Sequence, residues 1–119
     1  MKNIKAILEQ YKKAATIYGI ATQKGDHKTV NKQATILKLI YEKLKNNPDI
    51  QRVVLNELIQ DKNLTIRSWA AAHCLGLKIK TEQAEQILEN ISKRKDVGII
   101  SFDAETTLSL YKKQGYLNF

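Results

Sequence analysis

The chain has 119 residues, 43% hydrophobic and 27% charged, which is enough for one domain with a real core and too little for two. One Pro and five Gly exclude a disordered or fibrous chain, and a lone cysteine, Cys74, excludes an internal disulfide and points to a reducing cytoplasm. The net charge of +8 is uneven: residues 1–60 hold eleven Lys/Arg against five Asp/Glu, and residues 61–119 hold nine against seven.

The lysine-bearing start, Met1-Lys2-Asn3-Ile4-Lys5, is broken by Glu9, Gln10, Lys12 and Lys13 before any apolar core forms. It reads as neither a signal peptide nor a membrane span, and no later run approaches the roughly 18 apolar residues that a span requires.

The first predicted helix carries Ile4, Ile7, Leu8, Tyr11, Ala14, Ala15 and Tyr18 at three- and four-residue steps. Gly19 and Gly25 bracket its end, and Gly25-Asp26 supplies a stop followed by an N-cap. The second helix carries Val30, Ala34, Leu37, Ile40, Tyr41 and Leu44 on one face, and Lys28 and Lys32 one turn apart on another. Asn46-Asn47-Pro48-Asp49 ends it, because proline cannot continue the hydrogen-bond ladder.

Pro48 or Asp49 opens a third helix with Ile50, Val53, Val54, Leu58 and Ile59 inward. Thr65 is the expected N-cap of a fourth, from Ile66 to about Gly76. Thr81 caps a fifth with Ala84, Ile87, Leu88 and Ile91 as its stripe, and Lys93-Arg94-Lys95 complement its C-terminal dipole. Ser101 or a neighbour starts a sixth with Phe102, Ala104, Leu108 and Tyr111 inward. Asp103 and Glu105 fall in its first turn, where negative charge is favoured, and Gly115 ends it. The run Val97-Gly98-Ile99-Ile100 is too short to pair as a strand and reads as an inter-helix turn. The expected fold is all-α, about six helices in antiparallel pairs forming an α-α superhelix. The single domain divides into an N-terminal pair (1–46), a repeat (48–78) and a degenerate terminal repeat (81–115).

That division rests on Asp61 to Gly76. Ile66-Arg67 is a hydrophobic-Arg pair, Ala70-Ala71 allow close helix contact, and Arg67 can reach back to Asp61. Leu75-Gly76 lies one residue late, leaving Cys74 at the core-leucine position. About 33 residues on, Phe102, Ala104 and Leu108 fall where Trp69, Ala71 and Leu75 stood, a spacing that suits a helical repeat. Ile100-Ser101 stands where the arginine pair would be. The segments Ile66-Arg67-Ser68-Trp69-Ala70-Ala71-Ala72-His73 and Phe102-Asp103-Ala104-Glu105-Thr106-Thr107-Leu108 resemble a bacterial family of small HEAT-like proteins, a domain of unknown function. The resemblance is clearest from Asp61 to Tyr111. It implies a stacked helical fold and no established activity. By analogy with some small proteins of this kind, it allows a role as an immunity protein against a secreted toxin.

Candidate site residues follow from that helix. Trp69 and His73 lie one turn apart and, with Glu105 and Arg67, are the candidate partner-binding residues on a concave face. Each also has a structural reading: His73 as a buried helix residue bonded to a carbonyl or to Glu105, Trp69 as core, Arg67 as a repeat arginine. Cys74 in an alanine-rich helix reads as core filler rather than nucleophile. The tyrosines sit mostly on apolar stripes. Two histidines without Cys/Asp spacing make no zinc signature. No glycine-rich phosphate loop, catalytic triad or carboxylate cluster is present in the sequence, so no cofactor or metal is expected and an enzyme is not.

The leading expectation is a cytoplasmic, non-enzymatic protein-protein interaction module. The alternative is nucleic-acid binding through Lys5, Lys12, Lys28 and Lys32, although a lysine-rich half is also what an A/T-rich genome produces. A charge of +8 argues against a basic target and permits an acidic one. The exposed end helices of a short stack also allow a homodimer.

Overall fold

A computed structural model describes residues 3–119; Met1 and Lys2, the first residues of the lysine-bearing start, lie outside that range. The described chain is all-α: α1 (Ile4–Lys24), α2 (His27–Lys45), α3 (Pro48–Leu58), α4 (Leu64–Leu77), α5 (Thr81–Ser92) and α6 (Ile99–Gln114). No strand occurs among the described residues. None of the helices is long and apolar enough to cross a membrane.

Local chemistry explains most of the boundaries. Asn3 caps α1 through its side chain, which accepts from the Ala6 N–H. Gly25 ends that helix in the left-handed conformation at φ 72°, which glycine adopts without a Cβ clash. Asp26 then caps α2 by accepting from Thr29. The two-residue connection folds α1 and α2 into an antiparallel hairpin, and Pro48 stands in the first turn of α3, where its missing N–H costs nothing.

Other boundaries differ from the sequence expectation. The N-cap of α4 is Asn63, whose Oδ1 accepts from both Thr65 and Ile66 N–H groups, so Thr65 is already helical. Thr81 is the first residue of α5 behind a left-handed Lys80. The helix α6 begins at Ile99, two residues earlier than Ser101, with Gly98 before it at φ 56°. Part of the apolar turn therefore belongs to the helix, and Asp103 and Glu105 lie past its first turn. Gly76 does not end α4, which runs on to Leu77 and a left-handed Lys78. Gly19 does not end α1 either. It sits mid-helix where α4 crosses, and an added Cβ would come within 2.5 Å of Thr65 Oγ1.

The core is organised around α4. It packs on α1, α3, α5 and α6, and Ile66, Ala70, Ala71, Ala72, Cys74 and Leu75 are all buried. A helix apolar nearly all round belongs at the centre of a globule. The alanines let the neighbouring helices approach, and Leu37, Leu44, Val54, Leu55, Leu58, Leu88 and Ile91 fill the space between. Two residues expected inward are not: Val53 is 54% exposed and Phe102 66% exposed. Phe102 faces outward from α6, and no helix of the described residues covers it. Ala104 and Leu108 of α6 are buried.

After Gly115 the chain turns back over α4. Leu117 is buried, and the Phe119 ring lies 4.7 Å from the Tyr41 ring, centroid to centroid. Lys78 holds this return: its ammonium donates to the Gly115 carbonyl and lies 3.3 Å from the Tyr111 hydroxyl.

Candidate functional site

A cleft opens where α1, α4 and α6 meet, with a cavity of about 210 Å³. From α4 come Thr65, Ser68, Trp69 and Ala72, which fall at helical steps along one stripe. Tyr18 faces them from α1, and Asp103, Thr106 and Thr107 from α6. Phe119 closes one end. The Tyr18 and Trp69 rings stand edge to face, 5.0 Å apart at 88°, an arrangement favoured by the ring quadrupoles.

Beneath this wall lies a buried aromatic cluster centred on His73, which is 0% exposed. Its ring is 5.6 Å from Trp69, 5.6 Å from Tyr11, 4.8 Å from Tyr41 and 4.8 Å from Phe119. The Tyr11 hydroxyl lies 2.8 Å from His73 Nδ1. Tyr11 is itself fully buried and its hydroxyl has no other hydrogen bond among the described residues; the tautomer that gives its O–H an acceptor is the one in which the hydroxyl donates and Nδ1 accepts. The ring proton is therefore on Nε2, which has no hydrogen-bond partner among the described residues and sits among aromatic rings. Burial drives the imidazole down to about 3, so it is uncharged at neutral pH.

The expectation that His73 touches a partner is thereby corrected. It faces the core, and its partner is Tyr11 rather than a carbonyl or Glu105. Glu105 is also outside the cleft: it is exposed and does not line the cavity, whereas Asp103, two residues earlier, does. Positions two apart on a helix point about 200° apart. Trp69 does line the cavity and is half-buried. Arg67 is elsewhere, donating through Nη1 to the Asp61 carbonyl at 3.2 Å. This is the reach-back to Asp61 that the sequence predicts, made to the backbone, and it pins the turn before α4.

Asp103 is the site residue that charge and periodicity pass over. Its carboxylate makes no ion pair or hydrogen bond with a described residue, and burial pushes it above the usual carboxylate range. Burial, and then the nearby Asp103 charge, push the Tyr18 hydroxyl up as well. The available signal is its position one turn from Ile100 and one from Thr107, on the inward side of α6. Phe119 carries no periodic signal at all.

Cys74 is a buried thiol pushed up to about 12 by burial, so it stays protonated and unreactive. Among the described residues no group of His, Cys, Asp and Glu is placed to hold a metal ion. The lysines named for nucleic acid do not converge. Lys5 is near the start of α1, and Lys28 and Lys32 are near the start of the antiparallel α2, at the opposite end of a hairpin roughly 30 Å long. Lys12 is engaged by Glu57 at 3.5 Å and Asp61 at 3.6 Å.

Comparison of the chain with family models, curated proteins and solved structures finds no match.

Proposed function

We propose that this chain is a non-enzymatic interaction module that holds another protein at the cleft between α1, α4 and α6. The observation that carries this reading is the half-buried Trp69 in the wall of a preformed cavity, with exposed Phe102 and Ile99 on the adjoining face of α6. Aromatic side chains beside a partly enclosed pocket are the usual anchors of a protein interface. A volume of about 210 Å³ is below the roughly 300–1,000 Å³ of typical small-molecule sites, and it suits a single inserted side chain. The two side chains most able to do chemistry, His73 and Cys74, are buried and respectively neutral and protonated. The lone Cys74 fits a reducing, cytoplasmic setting, and an immunity or regulatory role follows by analogy with small HEAT-like bacterial proteins.

A pull-down from the source organism's lysate tests the reading, at low salt, at high salt and after nuclease treatment, with wild type and Phe102→Ser as baits. Phe102 is exposed, stands next to the lining residue Asp103 in the sequence, and contributes little to the core. A defined protein retained by wild type through all treatments and lost by the variant supports the module. Retention that vanishes with nuclease or salt overturns it in favour of nucleic-acid contact by the lysine-rich half.

A further inference from the structure

We propose that the cleft accepts a cationic side chain of a protein partner, an arginine or a free or methylated lysine, with Asp103 as counter-ion and Trp69, Tyr18 and Phe119 as the walls against its apolar stem. This rests on the reading of the cleft as a protein-binding site and assigns the chemistry of the inserted group.

Three observations converge. First, the cavity is walled by three aromatic rings, two of them at right angles. Aromatic faces attract a cation through the ring quadrupole, most strongly where water is excluded. Second, the cavity carries one carboxylate, Asp103, half-buried and without an ion pair or hydrogen bond among the described residues. A half-buried carboxylate keeps only part of its hydration, so a cation placed beside it is screened less than on the open surface. Third, nothing positive opposes the charge: no Lys or Arg lines the cavity, and the adjacent His73 is neutral. On a chain of +8 this is a local reversal of sign, because the charged residue in the lining is the acidic Asp103. The hydroxyls of Ser68 on α4 and of Thr106 and Thr107 on α6, which also line the cavity, can accept from a guanidinium or ammonium.

The test uses the intact protein and four soluble probes: the N-acetyl amides of arginine, lysine, trimethyllysine and the neutral norleucine. Trp69 is the sole tryptophan, so its fluorescence and its indole N–H resonance report on the cavity directly. The expected result is a saturable Trp69 response to at least one cationic probe, about tenfold or more weaker for norleucine and for Asp103→Asn. Equal response to norleucine, or undiminished binding by the variant, overturns the cation assignment. So does the absence of any response. The norleucine comparison needs no variant, so a misfolded Asp103→Asn leaves the proposal falsifiable. If cations fail while a retained protein still depends on Phe102, the interaction module stands without this chemistry. If cations bind and no protein is retained, the module fails and the assignment to a protein side chain falls with it.

Discussion

The Tyr11 hydroxyl on α1 donates to Nδ1 of His73 on α4 across 2.8 Å, a bond between residues 62 apart that lies wholly in the core. It ties the N-terminal hairpin to the central helix through polar atoms that meet inside the apolar packing. Replacing Tyr11 with Phe keeps the ring but leaves Nδ1 without a donor. Denaturant unfolding of Tyr11→Phe should show a loss of about 1–3 kcal/mol, the cost of an unsatisfied buried acceptor. An unchanged midpoint would mean that the bond contributes nothing net.

The same histidine makes stability depend on acid. Its folded value of about 3 lies below the ordinary 6.5, so above pH 6.5 the ring is neutral in both states and linkage costs nothing. Below that, the unfolded chain takes up a proton that the native core refuses, and stability falls by about 1.4 kcal/mol per pH unit until roughly pH 3. Asp103, raised by burial, acts in the opposite sense, so the informative quantity is a difference. Wild type and His73→Gln, which can still accept from Tyr11, should diverge in pH dependence by one proton across that window. Parallel curves would show that His73 is not neutral in the native protein.

Periodicity locates all six helices because each carries apolar residues at helical steps, and Gly25, Pro48 and Gly115 fall where stops are predicted. Helix starts are less legible. Thr65 and Ser101 look like caps, but Asn63 satisfies two N–H groups at once and Gly98 supplies the left-handed turn into α6. Glycines mislead where they serve packing, as Gly19 and Gly76 do inside their helices. The cleft is half legible. Trp69 announces itself by composition and position, while Asp103 is hidden by the expectation that acids near a helix start serve the dipole. His73 could not be placed from its own helix, because its environment is made by Tyr11, Tyr41 and Phe119, which are 62, 32 and 46 residues away in sequence.

Gly19 governs how closely α1 and α4 approach beside the cleft. A Cβ there would lie 2.5 Å from Thr65 Oγ1, 3.2 Å from its Cβ and 3.3 Å from its Cγ2. Rotating the threonine does not relieve this, because its own Cβ is part of the clash. Alanine gains about 1 kcal/mol of helix propensity, whereas overpacking a buried contact costs typically 1–3 kcal/mol. Gly19→Ala should therefore be neutral to destabilising by up to about 2 kcal/mol in denaturant unfolding, with a shifted Trp69 emission as the helices part. A variant more stable than wild type, with Trp69 unmoved, would contradict the close approach.

Two lysines in the α4–α5 connection hold left-handed backbone, Lys78 at φ 61° and Lys80 at φ 47°. A residue with a Cβ pays about 1–2 kcal/mol for that conformation, and glycine avoids the clash at some cost in unfolded-chain entropy. Lys80 has no hydrogen bond that this substitution would remove, so Lys80→Gly should raise stability by about 0.5–1 kcal/mol. Lys78→Gly gains the same backbone relief but loses the ammonium that holds the Gly115 carbonyl, the Tyr111 hydroxyl and the Tyr111 ring face, 4.6 Å from its centroid. The pair separates backbone strain from tail anchoring. Thermal unfolding should rank Lys80→Gly above wild type and Lys78→Gly below Lys80→Gly, and Trp69 emission should change in Lys78→Gly alone, as the return that seats Phe119 loosens. Equal gains in both variants, with Trp69 unchanged, would show that Lys78 does not anchor the tail.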